Sequence, residues 1–204
     1  MIVVNFKNYV FGKKAIELSK NIEKINKKVI VCPSFLDINK IIDETNLRVY
    51  AQHIDFSSIP EKSTGFITAE NLVKYRVRGS LINHSEHKIP LREVSLIINK
   101  CKLLKFDVIV CVMNLREVKK IISLKPFAIA YENPELISTG KSVTRYDKVK
   151  LKRFIKLVDK TNIIPLCGAG ISSREDVKSA YALGFRGVLI SSAITKDKKL
   201  DILK

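Results

Sequence analysis

The sequence predicts an α/β protein, a (β/α)8 barrel in a short version. Short apolar runs rich in β-branched residues alternate with amphipathic stretches from one end of the chain to the other. The apolar runs are also nearly continuous, as parallel strands buried on both faces require. A doubly wound open sheet gives a similar pattern and is the alternative architecture.

Eight apolar runs are predicted as strands, each followed by a helix or a helix-like stretch. The predicted strands are residues 2–6, 29–32, 47–52, 79–83, 106–112, 126–131, 163–167 and 187–190. The predicted helices after the first seven strands are residues 13–26, 34–45, 69–75, 91–104, 115–123, 145–160 and 176–183. Between 145 and 160, the apolar stripe includes Val149, Phe154, Leu157 and Val158. The chain of 204 residues is predicted to form a single domain, residues 1–204. Each unit has about 25 residues, against roughly 31 in the usual barrel.

Composition is ordinary for a soluble globular protein, with 46% hydrophobic and 28% charged residues. No apolar run approaches the length of a membrane span, and the N-terminus lacks the features of a signal peptide. The four cysteines are far apart, which is typical of buried thiols in a reducing compartment. We therefore expect a cytoplasmic protein with no membrane partner. His84 and His87 lack the further ligands of a zinc pattern, so no metal site is expected.

The net charge is unusual, because 37 Lys and Arg against 20 Asp and Glu give +17. Such a charge raises the possibility of nucleic-acid binding. The basic residues are spread over most segments, however, and aromatic residues are not interleaved with them as a base-stacking surface requires. We therefore expect no specific nucleic-acid partner. A positive field of this kind attracts small anions, including phosphates.

Polar side chains follow three of the predicted strands, where a parallel barrel gathers its functional groups. Asn5 and Lys7 are two residues apart at the end of the first strand, and strand alternation places both on one side. His84 follows the fourth strand, where Ser85 and Glu86 are predicted to begin a short helix whose dipole disfavours the imidazolium form. Glu132 directly follows the sixth strand and is predicted to lie at the start of a loop.

Two later strand ends are predicted to bind an anion. Gly168 and Gly170 precede a predicted helix, and residues 172–175 fit a capping box, so backbone N–H groups can face a phosphate. Ser191 and Ser192 follow the eighth strand, where barrels often complete a phosphate site. A carboxylate, a histidine, an amine and a phosphate site together indicate proton transfer next to the carbonyl of a small phosphorylated compound. No cofactor motif is present, so no cofactor is expected.

Six motifs at strand ends carry a resemblance that runs along the whole chain. They are VNFKNY at 4–9, AQHID at 51–55, LINHSEH at 81–87, AYENPELISTG at 130–140, CGAGIS at 167–172 and GVLISS at 187–192. In this order they resemble the triosephosphate isomerase family, especially its compact archaeal form. The resemblance implies a TIM barrel that interconverts dihydroxyacetone phosphate and glyceraldehyde 3-phosphate through an enediolate, in glycolysis and gluconeogenesis.

The resemblance also implies residue roles. Glu132 would be the catalytic base, neutral His84 would polarise the carbonyl and carry protons, and Lys7 with Asn5 would stabilise the charged oxygen. Ser85 and Glu86 match supporting residues. The residues implied to bind substrate or phosphate are Asn5, Lys7, Ile137, Ser138, Gly168, Ala169, Gly170, Ser191 and Ser192. Residues 130–140 would close as a lid and exclude water.

A subunit contact is implied as well. Residues 64–70, from Thr64 to Glu70, resemble the loop that family members insert into a neighbouring subunit, with Thr68 at the tip. Because the short units leave less helix to cover the barrel, we expect a homo-oligomer, a dimer or a tetramer. The lid departs from the family pattern, with Asn133 in place of the usual Pro and Ser138 in place of the usual Gly. Lid closure is therefore expected to differ.

Two other functions fit parts of the sequence. A different phosphate-binding barrel, such as those of tryptophan or histidine biosynthesis, accounts for residues 168–192 and leaves Asn5, Lys7 and His84 unexplained. A basic barrel that binds nucleic acid is the alternative from another class, and its binding would depend steeply on salt.

Overall fold

The computed structural model describes residues 1–133 and 148–204 and contains eight parallel strands that close into a barrel in sequence order. The strands are β1 (Ile2–Asn5), β2 (Ile30–Cys32), β3 (Arg48–Ala51), β4 (Gly79–Ile82), β5 (Asp107–Val112), β6 (Ala128–Tyr131), β7 (Ile164–Cys167) and β8 (Gly187–Ile190). The predicted barrel is confirmed, and each strand lies within a run predicted as one. Pairing of Val4 with Ile190 joins β1 to β8, which rules out the open sheet.

Helices follow the strands and cover the outside of the barrel. Those in the described residues are α1 (Lys13–Ile25), α2 (Ile38–Glu44), α3 (Ala69–Lys74), α4 (Leu91–Leu103), α5 (Leu115–Ile122), α6 (Lys148–Val158), α7 (Arg174–Ala182) and α8 (Ser192–Thr195). Short 3-10 turns occur at Phe35–Asp37, Pro60–Lys62 and Leu200–Leu203. None of the helices in these parts of the chain has the length and apolar composition needed to cross a bilayer.

The strands are apolar on both faces because they separate two layers of the core. In β1, Val3 belongs to the cluster inside the barrel, whereas Val4 packs with the outer cluster under the helices. The inner cluster includes Cys111 and Leu166, and the outer one includes Phe154. This arrangement is the physical reason for the nearly continuous apolar runs in the sequence.

Val149, which was predicted to face the core, lies on the exposed face of α6. Val149 is 65% exposed, whereas Leu151, Phe154 and Val158 are fully buried. These three residues follow the helical spacing of a single face, and Val149 lies about 200° away from Leu151 around the axis at 100° per residue. Phe154 packs 5.5 Å from the ring of Tyr131, the last residue of β6, and so supports the strand that leads to Glu132.

The prediction that Thr68 lies at the tip of residues 64–70 is also wrong. Thr68 is only 2% exposed, and its side chain caps α3 by accepting a hydrogen bond from the N–H of Asn71. The exposed part of the segment is Thr64 to Phe66, and Phe66 is 49% exposed. Asp55 holds the base of this loop, because its carboxylate accepts a hydrogen bond of 2.7 Å from the N–H of Ile67.

Candidate active site

A cavity of about 340 Å³ opens at the C-terminal end of the barrel. Four side chains from three strand ends that were predicted separately meet there, namely Asn5, Lys7, His84 and Glu132. The loop after β7 contributes residues 169–172, and the loop after β8 contributes residues 191–193. Barrel closure thus brings together groups that are up to about 190 positions apart in the chain.

Lys7 and Asn5 form one rigid corner of the cavity. The side-chain Oδ1 of Asn5 accepts a hydrogen bond of 2.9 Å from the backbone N–H of Lys7. Lys7 has a φ of 47°, which is strained for a residue with a side chain. Its carbonyl oxygen accepts a bond of 3.0 Å from Gln52, and its Nζ lies 2.6 Å from Oε1 of Glu86. These contacts hold the Lys7 ammonium at the cavity although the side chain is long.

His84 lies in a tight turn, so the prediction of a short helix beginning at Ser85 is wrong. The N–H of His87 donates to the carbonyl of His84 at 2.8 Å, and Pro90 follows too closely for a helix to continue. The N–H of Glu86 donates instead to Nδ1 of the His84 ring at 3.2 Å. Accepting this bond requires Nδ1 to carry no proton, so the ring is neutral with its proton on Nε2.

The Nε2 atom of His84 lies 3.5 Å from Oε2 of Glu132, and both side chains are buried. The backbone N–H of Glu132 donates to the carbonyl of Val112 at 2.9 Å, which extends the pairing of β5 and β6 by one residue. The carboxylate of Glu132 therefore lies just past the end of β6, at the rim of the barrel. A donor and an acceptor of protons face each other across one side of the cavity.

The pKa of Glu132 lies below the ordinary value for a glutamate. Burial is the largest single influence and raises the pKa, but the hydrogen bonds from His84 and the Cys111 thiol and the charge of Lys7 outweigh it. The pKa of Cys111 is raised well above its usual value by burial first and then by Glu132, so Cys111 stays a thiol and can donate to the carboxylate. Sequence reasoning missed Cys111 as part of the site, although strand alternation in β5 places it inside the barrel.

Gly168 was predicted to bind phosphate, but its backbone N–H has another partner. Its N–H donates to the carbonyl of Tyr131 at 2.9 Å and is therefore used in the pairing of β6 with β7. A Cβ at this position would lie 2.7 Å from Cγ of Glu132. Gly168 thus leaves room for the carboxylate, and its amide is not available to a phosphate.

The loop after β7 is held by a cap one residue later than predicted. Ser173, not Ser172, caps α7 by accepting a bond of 3.2 Å from the N–H of Asp176. Asp176 is almost fully buried, and its Oδ2 accepts bonds from both the N–H and the hydroxyl of Ser172. The preceding residues Ala169 and Gly170 have φ values of 71° and 72°, so the chain curls at the cavity wall.

The loop after β8 presents a polar wall. Ser191 precedes α8, and its carbonyl accepts bonds of 3.0 Å from the N–H groups of Ile194 and Thr195. Its Oγ is buried and has no hydrogen-bond partner within residues 1–133 and 148–204. Ser192 begins α8, where the first N–H groups have no acceptor inside the helix. A phosphate oxygen would satisfy such groups.

Two predicted phosphate contacts, Ile137 and Ser138, lie outside the described residues, as do Gly140 and most of the predicted lid. Asn133 is the last described residue before them. Of the supporting residues, Ser85 lies in the His84 turn, and Glu86 contacts both Lys7 and His84.

Comparison with known proteins identifies the family of the chain. The family model described as triosephosphate isomerase matches residues 1–204. The triosephosphate isomerase of Methanocaldococcus jannaschii is 39% identical, over 98% of this chain and 95% of that protein. Those of Methanobrevibacter smithii and Archaeoglobus fulgidus are 36% and 34% identical, over 97% and 96% of this chain and 92% and 91% of theirs. The chain therefore belongs to the triosephosphate isomerase family.

Proposed function

We propose that the chain interconverts dihydroxyacetone phosphate and glyceraldehyde 3-phosphate, the reaction of its family in glycolysis and gluconeogenesis. The observation that carries this proposal is the pair of Glu132 Oε2 and His84 Nε2, 3.5 Å apart at the edge of the cavity. The reaction needs one group that removes a proton from carbon and another that protonates oxygen. A buried carboxylate and a neutral imidazole supply these two properties.

In this mechanism, the Glu132 carboxylate removes a proton from the carbon next to the carbonyl of dihydroxyacetone phosphate. The C–H electron pair forms the carbon–carbon double bond of the enediolate, and the carbonyl electrons move to oxygen. Nε2 of His84 donates its proton to that oxygen and recovers one from the neighbouring hydroxyl. Glu132 then returns its proton to the other carbon. Atoms and charge balance without a cofactor, and we propose none.

Lys7 and Asn5 are proposed to stabilise the negative oxygen of the enediolate. The Lys7 ammonium is held in place by Glu86 at 2.6 Å, and the Asn5 side chain is fixed by the N–H of Lys7. Groups that are already oriented stabilise a developing charge without having to reorganise. We propose that Cys111 and Gly168 act on Glu132, one as a hydrogen-bond donor and the other by leaving space.

The phosphate is proposed to bind between the loops after β7 and β8. The curled backbone at Ala169 and Gly170 and the buried Oγ of Ser191 support this position, and Ser192 adds a helix start beside it. Contacts of Ile137 and Ser138 with the substrate remain predictions from the sequence.

A homo-oligomer is also proposed, with residues 64–70 at the contact. The exposed side chains of Phe66 and Ile59 support it, because exposed large apolar groups favour association. A cytoplasmic location is proposed because the four cysteines are buried and reduced. Sedimentation of the purified chain tests the assembly, and an active monomer would contradict it.

A coupled assay of triose phosphate isomerisation, without added metal, tests the function. We expect turnover in the unmodified chain and a loss of about 10³-fold in kcat for Glu132→Gln, because an amide cannot accept the proton. Glu17→Gln, which changes an exposed glutamate in α1, is the matched control. Full turnover in Glu132→Gln would show that another group is the base.

A further inference from the structure

Lys196 lines the same cavity and was not predicted from the sequence as a site residue. Its Nζ lies 3.9 Å from the centroid of the Tyr9 ring, a distance typical of a cation–π contact. The Nζ of Lys7 is 5.7 Å from the centroid of the same ring. The ring of Tyr9 therefore lies near both ammonium groups, and the Lys196 group is the nearer one.

The backbone of Lys196 is tied to the proposed phosphate loop. Its N–H donates to the carbonyl of Ser192 at 2.8 Å, one helical turn after the serine pair that ends β8. The side chain is solvent-exposed, and an exposed lysine usually samples many rotamers. Contact with the Tyr9 ring restricts this freedom. The charge is thus held at a cavity that Ser191 and Ser192 also line.

The charges around the cavity leave Lys196 available for an anion. Lys7 is paired with Glu86 at 2.6 Å, and Lys199 lies 3.9 Å from Asp197. Within the described ranges, Lys196 has no carboxylate at ion-pair distance. A phosphate monoester carries a charge between about −1.5 and −2 at neutral pH. A cation whose charge is not already neutralised therefore favours the binding of such a group in this cavity.

We propose that Lys196, positioned by Tyr9, binds the phosphate group of the substrate through its positive charge. This inference rests on the proposed function, because it names the part of the triose phosphate that Lys196 contacts. The phosphate is remote from the carbons that exchange the proton. A charge on it stabilises the bound substrate and the transition state equally, so its loss raises KM and leaves kcat nearly unchanged.

Three variants separate this role from a general effect of charge. Lys196→Met removes the charge but keeps a long side chain that can pack on Tyr9. Lys196→Arg keeps the charge and can also stack on the ring. Lys198→Met is the matched control, because Lys198 is exposed on the same segment and does not line the cavity.

Calorimetric titration with inorganic phosphate measures the affinity of the site in the absence of turnover. We expect the dissociation constant to rise about tenfold in Lys196→Met, to stay close to that of the unmodified chain in Lys196→Arg, and to stay unchanged in Lys198→Met. In the coupled assay, Lys196→Met should raise KM about tenfold with kcat within about twofold, whereas the control should match the unmodified chain.

Equal phosphate affinity in Lys196→Met and Lys198→Met would overturn the inference, as would a fall in kcat with no change in KM. Undetectable phosphate binding by the unmodified chain would overturn it too. A further result is that Lys196→Met lowers the phosphate affinity although the unmodified chain does not isomerise triose phosphates. This result would contradict the proposed function and support Lys196 as a phosphate ligand.

Discussion

Gly168 and Glu132 pack so closely that a Cβ on Gly168 would lie 2.7 Å from Cγ of Glu132 and 3.1 Å from its Oε1. A Cβ atom does not approach an atom to which it is not bonded this closely, so any side chain at position 168 must displace the side chain of Glu132. The two residues follow adjacent strands, β6 and β7, and the N–H of Gly168 is bonded to Tyr131. The backbone at Gly168 is therefore fixed, and the carboxylate has to move.

Gly168→Ala is expected to lower kcat by about 10 to 100-fold, since a displacement of about 1 Å from productive geometry has effects of this size. KM should change little, because the amide of Gly168 does not face the cavity. Steady-state kinetics measures both values, and a thermal unfolding midpoint shows whether the fold is intact. Unchanged kcat in a folded variant would contradict the steric role of Gly168.

The ring of His84 is expected to carry its proton on Nε2 and none on Nδ1. The N–H of Glu86 occupies Nδ1 at 3.2 Å and cannot donate to a protonated nitrogen. Nitrogen NMR of the labelled protein distinguishes the two ring nitrogens, and His84→Gln assigns the signal. A spectrum with both nitrogens protonated would exclude His84 as a neutral proton donor.

Asp176→Ala is expected to lower the free energy of unfolding by about 2 kcal/mol, because the N–H and hydroxyl of Ser172 lose their acceptor. KM should rise as well, since Ser172 lines the cavity and its loop carries Gly170. Urea unfolding and kinetics measure the two effects. Glu175→Ala, which changes the exposed neighbour in the same turn, is the control and should change each value only slightly. Equal effects of both substitutions would contradict the role of Asp176.

The pKa of His53 is lowered, first by burial and then by the charge of His87, whose ring is stacked 4.0 Å away, while Asp55 acts in the opposite direction. The folded state therefore binds fewer protons than the unfolded state just below the ordinary histidine pKa. The contribution of neutral His53 to the free energy of unfolding is fully present above pH 6.5. It is lost as the pH falls from there toward the pKa of His53 in the folded state. Urea unfolding between about pH 7 and pH 5 should show this loss, with a smaller slope in His53→Phe. Equal dependence of the free energy of unfolding on pH in the unmodified chain and in His53→Phe would contradict this role of His53.

Much of the architecture could be predicted from the sequence because it depends on local periodicity. Near-continuous apolar runs indicated strands buried on two faces, and the polar residues after them indicated one end of a barrel. Asn5, Lys7, His84 and Glu132 were found in this way, and they do line one cavity. Val149 shows the limit of this reasoning, since an apolar residue in a helical run does not reveal which face of the helix packs. Thr68, placed at a loop tip by the family resemblance, is instead buried as the cap of α3.

Tertiary structure decided the contacts that give these residues their chemistry. The spacing between Gly168 and Glu132, the thiol of Cys111 beside the carboxylate, and the contact of Lys196 with Tyr9 join residues from different strand ends. Periodicity relates a residue only to neighbours on its own element. Distances between side chains of separate strands arise when β1 pairs with β8 and the barrel closes, and they are set by the register of that closure.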